Sequence, residues 1–104
     1  MTTTMTKNSP SLQGKTALVT GGAKRVGKAI ALRLAEAGMD VAITFHSSGD
    51  EAERTVKQIQ SLGRRAHAIH VDLAEDDAAH QVHTQFMHVL GGLDALVNNA
   101  SCFA

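Results

Sequence analysis

The sequence predicts an α/β fold built on a doubly wound parallel sheet, of which these 104 residues supply the N-terminal half, four strands and three helices. Three observations predict it. Short apolar runs alternate with longer segments of helical period, the unit repeats along the chain, and a cluster of glycines stands directly behind the first run. The length suits one domain core. With 43% hydrophobic and 19% charged residues, the chain falls among sequences that bury enough apolar surface to fold.

Residues 1–11 are polar, rich in Thr and interrupted by Pro10, and are expected to form a flexible arm ahead of a domain spanning 12–104. Residues 16–19 give the first strand. Val26, Ile30 and Leu34 then fall four apart on one face of a helix that Gly38 closes. Residues 41–45 form the second strand, followed by a helix from about Asp50 whose Val56, Ile59 and Leu62 share a face and which stops at Gly63. Residues 66–71 give a third strand, Val82, Phe86 and Val89 line a third helix, and residues 93–97 give a fourth strand. Helical connections of this length imply right-handed crossovers and a parallel sheet covered on both faces. The runs 17–19 and 96–97 are continuously apolar, as in central strands. With a strand order of 3-2-1-4, the outer edge of the fourth strand lacks a partner, and an apolar edge of that kind invites pairing. The chain is therefore expected to be a fragment, or to have its missing part supplied by another segment.

Composition excludes several function classes. Ten Lys+Arg balance ten Asp+Glu, so no global field holds a nucleic acid or an anionic membrane. Cys102, the single cysteine, forms no internal disulfide, and a reducing, cytoplasmic setting is expected. No run approaches the roughly 18 apolar residues of a membrane span, and the N-terminus lacks the apolar segment of a secretory signal. His80, His83 and His88 fall along the third helix without a convergent carboxylate or thiolate, and His67 and His70 lie on opposite faces of a strand, so no metal site is expected. Glu75, Asp76 and Asp77 open a helix and complement its dipole.

The chemistry concentrates at Thr20-Gly21-Gly22-Ala23-Lys24-Arg25-Val26-Gly27, between the first strand and its helix. A strand that turns through glycines into a helix presents unpaired amides and the positive end of the helix dipole, a site for a pyrophosphate. Gly21 permits the tight turn and Gly27 a close approach of helix to strand or ligand, with Lys24, Arg25 and Val26 at the tip. This arrangement implies a Rossmann-like fold. At the end of the second strand, Phe45-His46-Ser47-Ser48 offers no carboxylate for an adenosine ribose, while Asp40 lies at the far end of that strand. Lys24, Arg25, His46, Ser47 and Ser48 together point to the 2′-phosphate of NADP(H) rather than to NAD(H). Asp72, followed by Leu73, ends the third strand and is placed to accept from the adenine amino group. Asn98, Asn99 and Ala100 follow the fourth strand, where Asn98 either ties strands together or meets the cofactor.

Thr20-Gly21 with Gly27, Asp72 and Asn98-Asn99-Ala100 resembles the short-chain dehydrogenase/reductase family across residues 15–104. Arg25 in place of the family's middle glycine, Ser101 in place of its last, and His46-x-Ser48 resemble the pteridine reductase branch. The resemblance implies that Arg25 faces both cofactor phosphate and substrate, that Ser101 and Phe103 contact a pterin, and that hydride comes from NADPH. It also implies a homo-oligomer, a homotetramer in the family, assembled through regions absent from these residues. The family's acid is a Tyr with a nearby Lys; the chain contains no Tyr, so no catalytic residue is assigned within it. The expected function is thus the cofactor-binding half of an NADPH-dependent reductase of pterins or dihydrofolates, with a short-chain reductase of carbonyl compounds such as 3-ketoacyl thioesters as one alternative. The other alternative is a non-catalytic NADP(H)-binding module.

Overall fold

The computed structural model describes residues 3–6, 13–23 and 25–99. Its elements in chain order are β1 (Thr3–Thr6), β2 (Thr16–Thr20), α1 (Arg25–Glu36), β3 (Asp40–Phe45), α2 (Gly49–Ser61), β4 (Ala66–His70), α3 (Ala78–Leu90) and β5 (Ala95–Asn98). The strands lie side by side as β1-β5-β2-β3-β4. β2 runs parallel to both β3 and β5, and β3 runs parallel to β4. All four expected parallel strands and all three expected helices are present, in the expected order, as a Rossmann-like half-sheet.

The N-terminal arm departs from expectation. Residues 3–6, expected to be flexible, form β1 and pair antiparallel with β5, Thr3 opposite Asn98 and Thr6 opposite Ala95. The outer edge of β5, expected to lack a partner, is covered by this segment. An open strand edge offers a row of unpaired N–H and C=O groups, and β-branched Thr suits an extended backbone. Polarity says nothing against an edge strand.

Period two sorts the strand residues to two faces. Ala17, Val19, Val41, Ile43, Ala95 and Val97 meet Ala31 and Ala35 of α1 and Ala52 and Ile59 of α2. Leu18, Ala42, Ile69 and Val71 meet Ala78, Val82, Phe86 and Leu90 of α3 on the other side. Each fully buried Val, Ile or Phe contributes roughly 1.5–3 kcal/mol to this packing. The buried face of α1 is turned by about one residue from the expected one: Gly27, Ala31 and Ala35 are buried, Ile30 and Leu34 are half-buried and pack against the same core, and Val26 is 61% exposed. Small residues win that face because the helix lies close over the sheet. On α2 the buried residues are Ala52, Thr55 and Ile59, and Leu62 is exposed beyond the last turn.

The N-terminal ends of the strands close on a clamp of their own. Asp40 is buried and accepts from the Arg65 amide at 2.9 Å and its Nε at 3.0 Å, with Arg64 Nη2 at 3.1 Å. Burial pushes the Asp40 carboxyl up, but the hydrogen bonds from Arg65 and the charges of Arg64 and Arg65 outweigh it and hold the group below the usual carboxylate range. Beside it, the Thr16 amide donates to Asp94 Oδ2 at 2.9 Å and the Thr16 hydroxyl donates to the Gly92 carbonyl. Among the described residues, no helix is long and apolar enough to cross a membrane.

Candidate cofactor-binding site

From β2 the chain proceeds outward to β3 and β4, then returns to place β5 on the other side of β2. The crevice at the carboxyl ends of β2 and β5 is therefore the point where strand order reverses, the usual ligand position in open parallel sheets. The 21–27 turn leaves β2 at this crevice and leads into α1.

Close packing shapes the turn. Gly21 takes φ +66°, and a Cβ at Gly27 would overlap the Gly21 carbonyl oxygen and stand 2.7 Å from Asn99 Nδ2. Both positions therefore need glycine. Arg25 also adopts a positive φ, +57°, which is costly for a side chain of its kind. That geometry explains why a glycine is the natural choice at this position and gives the Arg substitution a physical cost. The Gly21 amide donates to Thr44 Oγ1 at 2.9 Å. The donors suited to an anion are the first-turn amides of α1, which no helical carbonyl can serve.

β5 is tied to the turn by a polar network. The Asn99 amide donates to Thr20 Oγ1 at 3.0 Å, Thr20 Oγ1 donates to Asn98 Oδ1 at 3.1 Å, and Asn99 Nδ2 donates to the Gly21 carbonyl at 3.3 Å. Asn98 is thus a strand-tying residue in this structure, and Asn99 fixes the turn.

At the ends of β3 and β4, His46 and Ser47 are exposed and Ser48 is half-buried at the start of α2. The Ser48 side chain makes no capping hydrogen bond. Ser47, Ser48 and Arg54 share a recess of about 530 Å³ with Asp50 and Glu51. Arg54 was not apparent from sequence, although its place one turn inside α2 is readable from the helical period. His46 Nε2 lies 3.8 Å from Asp72 Oδ2, while Asp72 Oδ1 accepts the Ala74 amide at 2.9 Å. His70, read from sequence only as a strand residue, makes a 2.8 Å hydrogen bond through Nε2 with the His46 carbonyl and stacks on the His46 ring. Leu73 points elsewhere: it packs against the core under α3.

The structure therefore brings Gly21, Arg25, Gly27 and Asn99 together at the turn, and His46 and Asp72 together at the neighbouring strand ends. Val26 stands exposed at the helix start. Lys24, Ala100, Ser101 and Phe103 lie outside the described residues. The donor set fits a diphosphate: amides at a helix N-terminus, an exposed guanidinium beside them, and a polar recess one strand away. A second depression, about 750 Å³ and mainly apolar, lies over the opposite face against Leu18, Val82, Phe86, Met87, Leu93 and Leu96.

Comparison with known proteins bears on the same elements. The family pattern for short chain dehydrogenase matches residues 15–103. The 3-oxoacyl-(acyl-carrier-protein) reductase FabG of Staphylococcus epidermidis is 40% identical over 86 residues, covering 83% of this chain and 35% of that protein. The short-chain dehydrogenase/reductase homolog YusS of Bacillus subtilis is 41% identical over 87 residues, covering 84% of this chain and 80% of that protein. A crystal structure of a short chain dehydrogenase from Burkholderia cenocepacia J2315 in complex with NADP matches with a TM-score of 0.76 and 49% identity, over 79% of this chain and 34% of that one. The chain spans about a third of the length of most of the curated relatives it matches, and most of YusS. The family match takes in every element from β2 to β5, and the chain belongs to the short-chain dehydrogenase family.

Proposed function

We propose that the chain binds NADP(H) in the switch-point crevice and serves as the cofactor-binding portion of an oxidoreductase acting on a small carbonyl compound. One observation carries this reading: the first turn of α1 with the exposed Arg25 follows β2, the exposed His46 and Ser47 follow β3, and these two strands are parallel neighbours, so both segments stand at the carboxyl ends of adjacent strands. In this reading the first turn of α1, from Arg25 through Val26 to Gly27, binds the pyrophosphate. Lys24, Arg25, His46, Ser47 and Ser48 receive the 2′-phosphate. Asp72 accepts from the adenine amino group, Leu73 contributes its main chain, and Asn99 and Ala100 are the remaining cofactor contacts. Bound NADPH supplies a hydride; the residues here orient it and keep its phosphates neutralised. The chain contains no Tyr, and no proton donor is assigned within it. A reducing, cytoplasmic setting and assembly into a homo-oligomer belong to the same proposal.

The substrate class follows the relatives named as 3-oxoacyl reductases, which favour a carbonyl compound. A second reading, a pterin, is favoured by Arg25, held at positive φ where glycine would fit without strain. Calorimetric titration tests the cofactor: NADPH should bind more tightly than NADH, and Arg25→Ala should erase most of the difference. Equal affinities in the unaltered chain would overturn the 2′-phosphate assignment. Saturation-transfer NMR on the NADP-loaded chain then separates the substrates, with transfer to a 3-ketoacyl thioester expected and transfer to dihydrobiopterin alone reversing the choice.

A further inference from the structure

Two buried threonines grip the glycine turn from elements outside it. Thr44, on β3, is 1% exposed, and its Oγ1 accepts the Gly21 amide at 2.9 Å. Thr55, in the middle of α2, is fully buried and donates its hydroxyl to the Ala23 carbonyl at 2.9 Å. Both stand where packing alone favours an apolar side chain: Thr44 follows Ile43 in a buried strand, and Thr55 shares the buried face of α2 with Ala52 and Ile59. Valine has nearly the same shape, and a buried hydroxyl is costly unless it finds a partner. Here each hydroxyl meets a main-chain group of the turn that no helix or strand ladder serves.

The turn needs such restraint. Gly21 at φ +66° and Arg25 at φ +57° both sit in the left-handed region, and Arg25 does so against its own preference. A strained conformation persists only where its surroundings over-determine it. The two hydroxyls bracket the first half of the turn, one at Gly21 and one at Ala23, two residues before the strained Arg25. By taking up the Gly21 amide, Thr44 also leaves the anion-binding role to the amides at the start of α1.

We propose that Thr44 and Thr55 are positioning residues that hold the 21–27 turn in the shape in which α1 presents its first-turn amides to a dinucleotide pyrophosphate. The cofactor part of this inference rests on the NADP(H) reading above; the clamp itself does not. The test compares Thr44→Val and Thr55→Val with Thr44→Ser and Thr55→Ser in the full chain, with Thr55→Ala replacing valine should the added methyl overpack. Hydrogen exchange of the ligand-free chain should quicken about tenfold at the amides of residues 21–27 in the valine variants and stay unaltered in the serine variants, while Leu18 and Ala42 keep their protection. NADPH should bind about tenfold more weakly to the valine variants and normally to the serine variants. Valine variants whose turn exchanges as in the unaltered chain would overturn the clamp, whatever they bind. An unaltered chain that fails to bind NADPH would overturn the cofactor reading and leave the exchange result to judge the clamp.

Discussion

At the amino ends of the parallel strands, Asp40 lies buried between Arg64 and Arg65, and Thr16 is tied to Asp94. At the carboxyl ends of the same strands, Arg25, His46 and Ser47 stand exposed around helix amides that no helical carbonyl serves. The first edge pairs its charges with one another, with buried Arg64 Nε left without a hydrogen-bond partner, and the second leaves Arg25 and His46 exposed. Charge at the first edge is a matter of stability, and charge at the second, on the NADP(H) reading proposed above, is a matter of binding. Substitutions at the two edges should therefore separate these properties.

The largest effect is expected at the closed edge. Asp40→Ala strands Arg64 and the Arg65 amide without their acceptor and should cost about 3–5 kcal/mol in urea unfolding, with NADPH affinity unchanged in whatever fraction stays folded. The same carboxyl sets an acid dependence. Because Asp40 titrates below its ordinary value in the folded chain, the unfolded chain takes up the proton more readily. Its stabilising contribution is complete above about pH 4 and is lost as pH falls through the lowered native value. Asp40→Asn should flatten that acid limb of the stability profile.

Gly27→Ala comes next and bears on both edges of the comparison, since its Cβ overlaps the Gly21 carbonyl. It should cost about 1–3 kcal/mol of stability through overpacking and weaken NADPH in parallel. Arg25→Gly sharpens the contrast. Relief of the left-handed backbone should raise stability by about 1 kcal/mol, while NADPH binding weakens, so melting temperature and affinity move in opposite directions. The smallest stability change is expected for His46→Ala, within about 0.5 kcal/mol as at other exposed positions, with a loss of NADPH binding that NADH does not share. Equal losses for both cofactors would remove His46 from the 2′-phosphate site.

Much of this was legible from residue order. The alternation of apolar runs with helical segments located every parallel strand and helix, and the glycines behind β2 marked the crevice, because strand, turn and helix N-terminus are local features. What was not legible depends on contacts between distant segments. The open edge of β5 was read from the strand order, but its pairing with residues 3–6 was not, because a polar, Thr-rich segment carries no apolar pattern that marks it as a strand. The rotation of α1, which buries Gly27 and Ala31 and exposes Val26, follows from how closely the helix lies over the sheet, not from hydrophobicity along the helix. Thr44 and Thr55 were passed over because Thr fits strands and helix surfaces alike; their hydroxyls gain meaning only from the turn they face. A polar side chain at an inward register position was the signal available for both.

The central claim is that the 21–27 turn holds the pyrophosphate of NADP(H). A crystal structure of the chain grown with NADPH tests it most directly. Pyrophosphate oxygens are expected within hydrogen-bond distance of amides in the first turn of α1, with the 2′-phosphate beside His46 and Ser47. A cofactor lodged instead in the apolar depression against Phe86 and Leu96, with no contact to the turn, would contradict it.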